Sequence, residues 1–98
     1  MKTKQNVIKI VFCTQCGWLT RSTWMAQEIF ITFSKDINSL TLVPSDGGRF
    51  EIWCNDQVIF SRTTEGKFVE IKEIKMRIRD LIDPDRSLGH NDIIKKHE

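Results

Sequence analysis

The spacing of apolar positions divides the chain into six elements. Val7-Ile8-Lys9-Ile10-Val11-Phe12 is almost continuously apolar, which predicts a strand buried on both sheet faces. From about residue 17 to residue 34, Trp18, Met25, Ile29 and Phe33 recur at helical spacing, with Arg21 and Glu28 left for surface positions. Leu40-Thr41-Leu42-Val43 reads as a short second strand, ended by the turn cluster Pro44-Ser45-Asp46-Gly47-Gly48. Phe50, Ile52 and Cys54 alternate with Glu51 and Trp53, the period of two that belongs to a strand. Asn55-Asp56 then makes a tight hairpin to residues 57–61, where Val58 and Phe60 are expected on one face. Ile71, Ile74, Ile78 and Leu81 form the stripe of a second helix, supported by a Glu73–Arg77 pair at i,i+4. Pro84 closes that helix, because the residue before a proline is pushed out of the α region.

The predicted order is therefore β-α-β-β-β-α. A parallel β-α-β unit with its right-handed crossover, extended by an antiparallel hairpin, makes a four-stranded mixed sheet with two helices packed on it. Trp53, alternating away from Phe50 and Ile52, is expected to cover the opposite sheet face under a helix. At 98 residues the chain is expected to be one α/β domain, with a core over about 7–84 and a polar tail over 85–98. The exposed edge at residues 57–61 either pairs with a second chain or is blunted by Arg62, so the oligomeric state stays undefined.

Composition removes several function classes. Apolar residues make up 40% and charged residues 29%, as in an ordinary water-soluble globular domain. No run approaches the roughly 20 apolar residues of a membrane span, and no signal-peptide pattern follows the basic start, so the cytoplasm is the expected compartment. A net charge of +2 is too small to point to nucleic acid, and Lys95-Lys96 reads as part of a solvated tail. Three cysteines are an odd number, which argues against a secreted disulfide scaffold and leaves at most one functional pair.

That pair is Cys13-Thr14-Gln15-Cys16, placed between the first strand and the first helix. A Cys-x-x-Cys at such a junction reads as a thioredoxin-type redox pair, and the β-α-β order around it as a thioredoxin-like fold. The first turn of a helix carries unpaired N–H groups and partial positive charge, which favour thiolate over thiol. Arg21 adds to that field if its side chain folds back over the first turn. Structural zinc is the rival reading, but it needs four ligands. Beyond the pair the chain offers Cys54, His90 and His97, with no second close pair, so neither metal nor bound cofactor is expected. Cys54 shares a strand face with Phe50 and Ile52 and is expected to be a buried structural thiol. Trp18 either flanks the thiols as an apolar docking surface or packs in the core, whereas Trp24 is expected in the core. Thioredoxins place a cis-proline opposite the disulfide, and Pro44 is the candidate for that position.

A longer string extends the motif: Cys13-x-x-Cys16-x-Trp18-Leu19-x-Arg21-x-x-Trp24-Met25-Ala26-Gln27-Glu28. It continues through Gly47-Gly48-x-Phe50, Arg62, Gly66-x-Phe68 and Glu70 to Arg77-x-Arg79-Asp80, Pro84 and Leu88-Gly89-His90-x-Asp92. The chain thereby resembles a bacterial, cysteine-containing member of the selenoprotein W/T/H family, also called the Rdx family, over roughly residues 7–92. Val69 departs from it, standing where many relatives have proline. Some members of that family carry selenocysteine at the position of Cys16, which implies that Cys16 is the reactive atom and Cys13 its partner; thioredoxins proper imply the reverse. The resemblance implies a thiol–disulfide oxidoreductase in redox regulation or antioxidant defence. Cys13 and Cys16 would be its catalytic thiols, with Thr14, Gln15, Trp18 and Arg21 lining the partner or substrate surface. Its partners would be protein thiols or disulfides, with glutathione as a co-substrate rather than a bound group. The other reading is a redox-sensing interaction module with little turnover, whose partners dock according to the state of the cysteine pair. His90 matches the family string, but a lone histidine after the last helix reads as a local hydrogen-bonding or capping residue.

Overall fold

The computed structural model describes residues 5–89. Four strands, β1 (Asn6–Cys13), β2 (Ile37–Ser45), β3 (Phe50–Cys54) and β4 (Gln57–Ser61), form one sheet in the order β2-β1-β3-β4. β1 runs parallel to β2 and antiparallel to β3, and β3 and β4 form the antiparallel hairpin. The mixed α/β sheet and its thioredoxin-like connectivity are those expected from the spacing. Three α-helices accompany it: α1 (Leu19–Thr32), a single turn α2 (Arg62–Glu65) and α3 (Ile71–Ile82). The short α2 was not anticipated. Ser61 caps it by accepting from the Thr64 N–H, and Gly66 ends it at φ 78°.

Both long helices pack on the same face of the sheet. Ile8, Ile10 and Phe12 of β1 and Phe50, Ile52 and Cys54 of β3 meet Met25, Ile29 and Phe33 of α1 and Ile74 and Ile78 of α3 in one buried cluster. Lys75 ties α3 to α1 through Glu28 at 2.9 Å. The expectation that β1 is covered on both faces holds for its second half, where Val11 is buried, but not its first: Val7 is 39% exposed and Lys9 is exposed. No described helix lies over Trp53 either. Its ring is roofed by the Lys9 ammonium, 4.8 Å from the ring centroid, and its indole N–H donates to Glu51 at 3.0 Å.

Three further expectations change with packing. Val58 and Phe60 do not share a face, because a bulge pairs Ile52 with Phe60 but Trp53 with Val58. Phe60 is consequently buried and Val58 exposed. On α3, Leu81 faces outward and Ile82 packs on the core in its place, since a stripe of 71, 74, 78 and 82 follows the 3.6-residue period more closely than one ending at 81. Trp24, expected in the core, is 47% exposed, because Met25 and Ile29 occupy the inward face of α1.

The hairpin turn follows its sequence. Asn55 and Asp56 both take positive φ, 53° and 68°, the geometry that matches strand twist in a two-residue loop. Pro44 lies within β2, an edge strand where a missing N–H is tolerated, and the described residues contain no cis peptide bond. Residues beyond Pro84, expected as a polar tail, begin with packed chain. Arg86 grips Asp36 at 2.7 and 2.8 Å, and Leu88 lies against the core. His90, His97 and the Lys95-Lys96 pair fall outside the described residues. No helix among the described residues is long and apolar enough to cross a membrane.

Candidate functional site

β1 is an interior strand, and its last residue is Cys13. The Cys13 N–H donates to the Arg49 carbonyl at 2.8 Å, which continues the β1–β3 pairing to the end of the strand. The chain then makes a single 3-10 turn, Thr14–Cys16. Gly17 follows at φ 75°, a left-handed conformation that residues with a Cβ rarely adopt. Only after Trp18, which precedes α1, does the α-helix begin. The two thiols therefore do not sit in the first turn of the helix, as the junction suggested. They occupy a separate turn that Gly17 disconnects from the helix axis.

The turn brings the Cys16 thiol, as donor, to 2.6 Å from the Cys13 sulfur. Cys13 is 2% exposed, whereas Cys16 is open to solvent. This asymmetry carries over into acidity. Cys13 is held below the usual thiol range, chiefly because Cys16 donates to it, with the backbone N–H groups of Gly48, Gln15 and Cys16 adding to the effect against the cost of burial. Cys16 is pushed up, first because its proton is engaged by Cys13, then by desolvation and by the negative charge that Cys13 develops. The Gly48 N–H and the positive charge of Arg62 oppose that rise. One proton is thus shared by two sulfurs, with the buried one the better anion.

The other residues expected at the site are distributed around this pair. Thr14 is exposed and its hydroxyl donates to the Ser45 carbonyl at 3.4 Å, linking the turn to the end of β2. Gln15 is exposed and contributes its backbone N–H to Cys13. Trp18 packs on the core and also borders the turn, its ring meeting Phe50 at 5.9 Å and Phe68 at 5.2 Å edge-on. Arg21 does not fold back over the thiols; its guanidinium lies 3.9 Å from the Phe68 ring centroid. Cys54 is a buried free thiol whose pKa is raised by burial, as its place on the core face of β3 requires.

Three residues beside the thiols or behind Trp18 were not anticipated in that role. Gly48 supplies a backbone donor from the β2–β3 turn, Arg62 supplies positive charge from the start of α2, and Phe68 anchors the ring cluster. All three stand in the family string, but nothing in their local sequence says that about 30 to 55 residues of chain will return to the cysteine turn. Among the described residues no three His, Cys, Asp or Glu side chains are placed to hold a metal ion.

The sequence model of the Rdx family matches residues 7–80. This chain belongs to the Rdx family. Solved structures of similar proteins agree with it. A selenoprotein W-related protein from Vibrio cholerae is 49% identical, with a TM-score of 0.78 over 81% of this chain and 99% of that one. A protein from Bordetella parapertussis is 44% identical, with a TM-score of 0.76 over 79% of this chain and 98% of that one. A comparison with curated proteins gives no match. The Rdx match ends inside α3, so it includes the cysteine turn, Arg62 and Phe68.

Proposed function

We propose that this Rdx protein is a small thiol–disulfide oxidoreductase that cycles Cys13 and Cys16 between dithiol and disulfide. The observation that carries this reading is the 2.6 Å approach of one buried and one exposed sulfur on a turn fixed between β1 and α1. A disulfide bond needs about 2.05 Å between sulfurs, so the pair closes with a small side-chain movement.

The exposed sulfur meets the partner. As a disulfide R–S–S–R′ approaches, Cys16 passes its proton to Cys13 and attacks as thiolate. It forms the mixed disulfide Cys16–S–S–R and releases R′–S⁻ with the bonding electron pair. The Cys13 thiol gives its proton to that leaving thiolate. The resulting Cys13 thiolate attacks the Cys16 sulfur, closes the Cys13–Cys16 bond and releases R–S⁻, which takes a proton from water. Two electrons and the one shared proton leave the protein, the second proton comes from water, and two thiols form. A cytoplasmic thiol such as glutathione returns the protein to its dithiol form, two molecules supplying the two electrons and leaving joined as their disulfide. Protein thiols and disulfides are the natural partners, since Leu19, 55% exposed, and Trp24 offer apolar surface just after the turn. A redox-sensing docking module would use the same surface without turnover.

The deciding experiment is equilibration in glutathione redox buffers with trapping of free thiols, alongside Cys13→Ser and Cys16→Ser variants. A single two-electron transition at about −270 to −200 mV, lost in both variants, is the expected result. Failure of the pair to form an intramolecular disulfide refutes the reading. Multiple turnovers of a disulfide substrate with a recycling reductant separate the enzyme from the docking module.

A further inference from the structure

We infer that the disulfide partner of Cys16 carries a carboxylate beside its reacting sulfur, and that Arg21 and Arg62 receive that carboxylate. The inference rests on the redox reading above and specifies its substrate class. The arginines of this chain fall into two groups. Arg49, Arg77, Arg79 and Arg86 each pair with a carboxylate at 2.6 to 2.9 Å, to Glu51, Glu65, Asp80 and Asp36. Arg21 and Arg62 have no ion pair among the described residues. Both instead lie against one ring: the Arg21 guanidinium is 3.9 Å and that of Arg62 5.2 Å from the Phe68 centroid. Arg62 is also 5.1 Å from the Trp18 ring, and its Nε is buried with no hydrogen-bond partner.

Those two guanidinium groups flank the Phe68 ring, which meets Trp18 edge-on at 5.2 Å, two residues after the exposed Cys16, and the positive charge of Arg62 reaches the Cys16 thiol. The aromatic ring faces hold the planar groups in place without neutralising them. Their N–H forks are therefore left to an anion from outside, and a carboxylate fits a guanidinium fork with two parallel hydrogen bonds. The chain's small net charge gives no general attraction for anions, so selectivity would come from this pair of residues.

The test isolates the first chemical step in a Cys13→Ser variant. The Cys16 thiolate attacks one sulfur of an aromatic disulfide, forms a mixed disulfide and expels one coloured aromatic thiolate with the bonding electrons. Two probes are compared: 5,5′-dithiobis(2-nitrobenzoate), which carries a carboxylate on each ring, and the neutral 4,4′-dipyridyl disulfide. Each rate is divided by that of N-acetylcysteinamide with the same probe, and the ratio of the two cancels any change in Cys16 acidity. The expected preference for the anionic probe is about tenfold at low salt, falling as ionic strength rises. Combining Arg21→Gln with Arg62→Gln should bring it to within about twofold of parity, whereas Arg62→Lys, which keeps the charge, retains most of it. Equal normalised rates in the parent, or a preference that survives the double substitution, overturn the inference and leave the redox reading standing. A Cys16 that reacts with neither probe refutes the redox reading, and the inference with it.

Discussion

Phe68 is the residue through which packing reaches the cysteine turn, and its replacement tests that link. Its ring stands edge-on to Phe50 at 5.1 Å and to Trp18 at 5.2 Å, stacks near Phe60 at 6.4 Å, and carries two guanidinium groups. Fully burying a phenylalanine that is then cut to alanine costs about 3–5 kcal/mol. Phe68 is half-buried, which brings the transfer and cavity part to roughly 2 kcal/mol. Well-oriented ring pairs add about 0.5–1.5 kcal/mol each, partly included already, and cation–π contacts at exposed sites add up to about 1 kcal/mol. Phe68→Ala should therefore cost about 3 kcal/mol, a large share of the roughly 5–15 kcal/mol that holds a domain together. Phe68→Leu keeps most of the apolar area and loses the ring contacts, for about 1 kcal/mol. Urea unfolding followed by tryptophan fluorescence measures both, with an unchanged slope as the check on two-state behaviour. The alanine variant should melt about 15 °C lower. An alanine cost below about 1 kcal/mol, or a leucine variant as stable as the parent, refutes the role given to this ring cluster.

Other predictions concern the thiols and their turn. Cys13 owes its acidity first to the Cys16 donor, so Cys16→Ala, which removes that donor, should raise the pKa of Cys13. Cys13→Ala should lower that of Cys16, by removing both the acceptor that holds its proton and the negative charge beside it. Thiolate absorbance near 240 nm against pH reads both, and shifts of the opposite sign refute the shared-proton account. Iodoacetamide should label exposed Cys16 in the native protein and Cys54 only after denaturation, because Cys54 is buried and its pKa raised by desolvation; mass spectrometry after timed quenching shows the order. Gly17→Ala meets nothing within 4 Å of the new Cβ, so its cost comes from the left-handed backbone alone. About 1 kcal/mol is expected, with slower disulfide closure if the turn relaxes, and a cost under about 0.3 kcal/mol counts against the turn geometry.

The sequence by itself determined the element order, the parallel first crossover, the hairpin and the position of the cysteine pair. These features follow from short-range causes: side-chain periods of 2 and 3.6, turn residues at Asn55-Asp56, a helix stop at Pro84, and a motif of four consecutive residues. The family string added the Rdx assignment, because it samples most of the chain at once. Tertiary structure decided which face each strand covers. The run from Val7 to Phe12 reads as buried on both sides, yet with both helices on one face Lys9 and Val7 are left open on the other. A single bulge reversed the side of Val58 relative to Phe60, because one extra residue changes the parity of a strand. The site was divided in the same way. Cys13 and Cys16 are legible from four residues, but their asymmetry is not. Burial of one sulfur, the Gly48 donor and the charge of Arg62 arrive from segments 32 to 49 residues further along the chain. Such contacts depend on how the elements pack, and no local pattern encodes the distance between residues that are far apart in sequence.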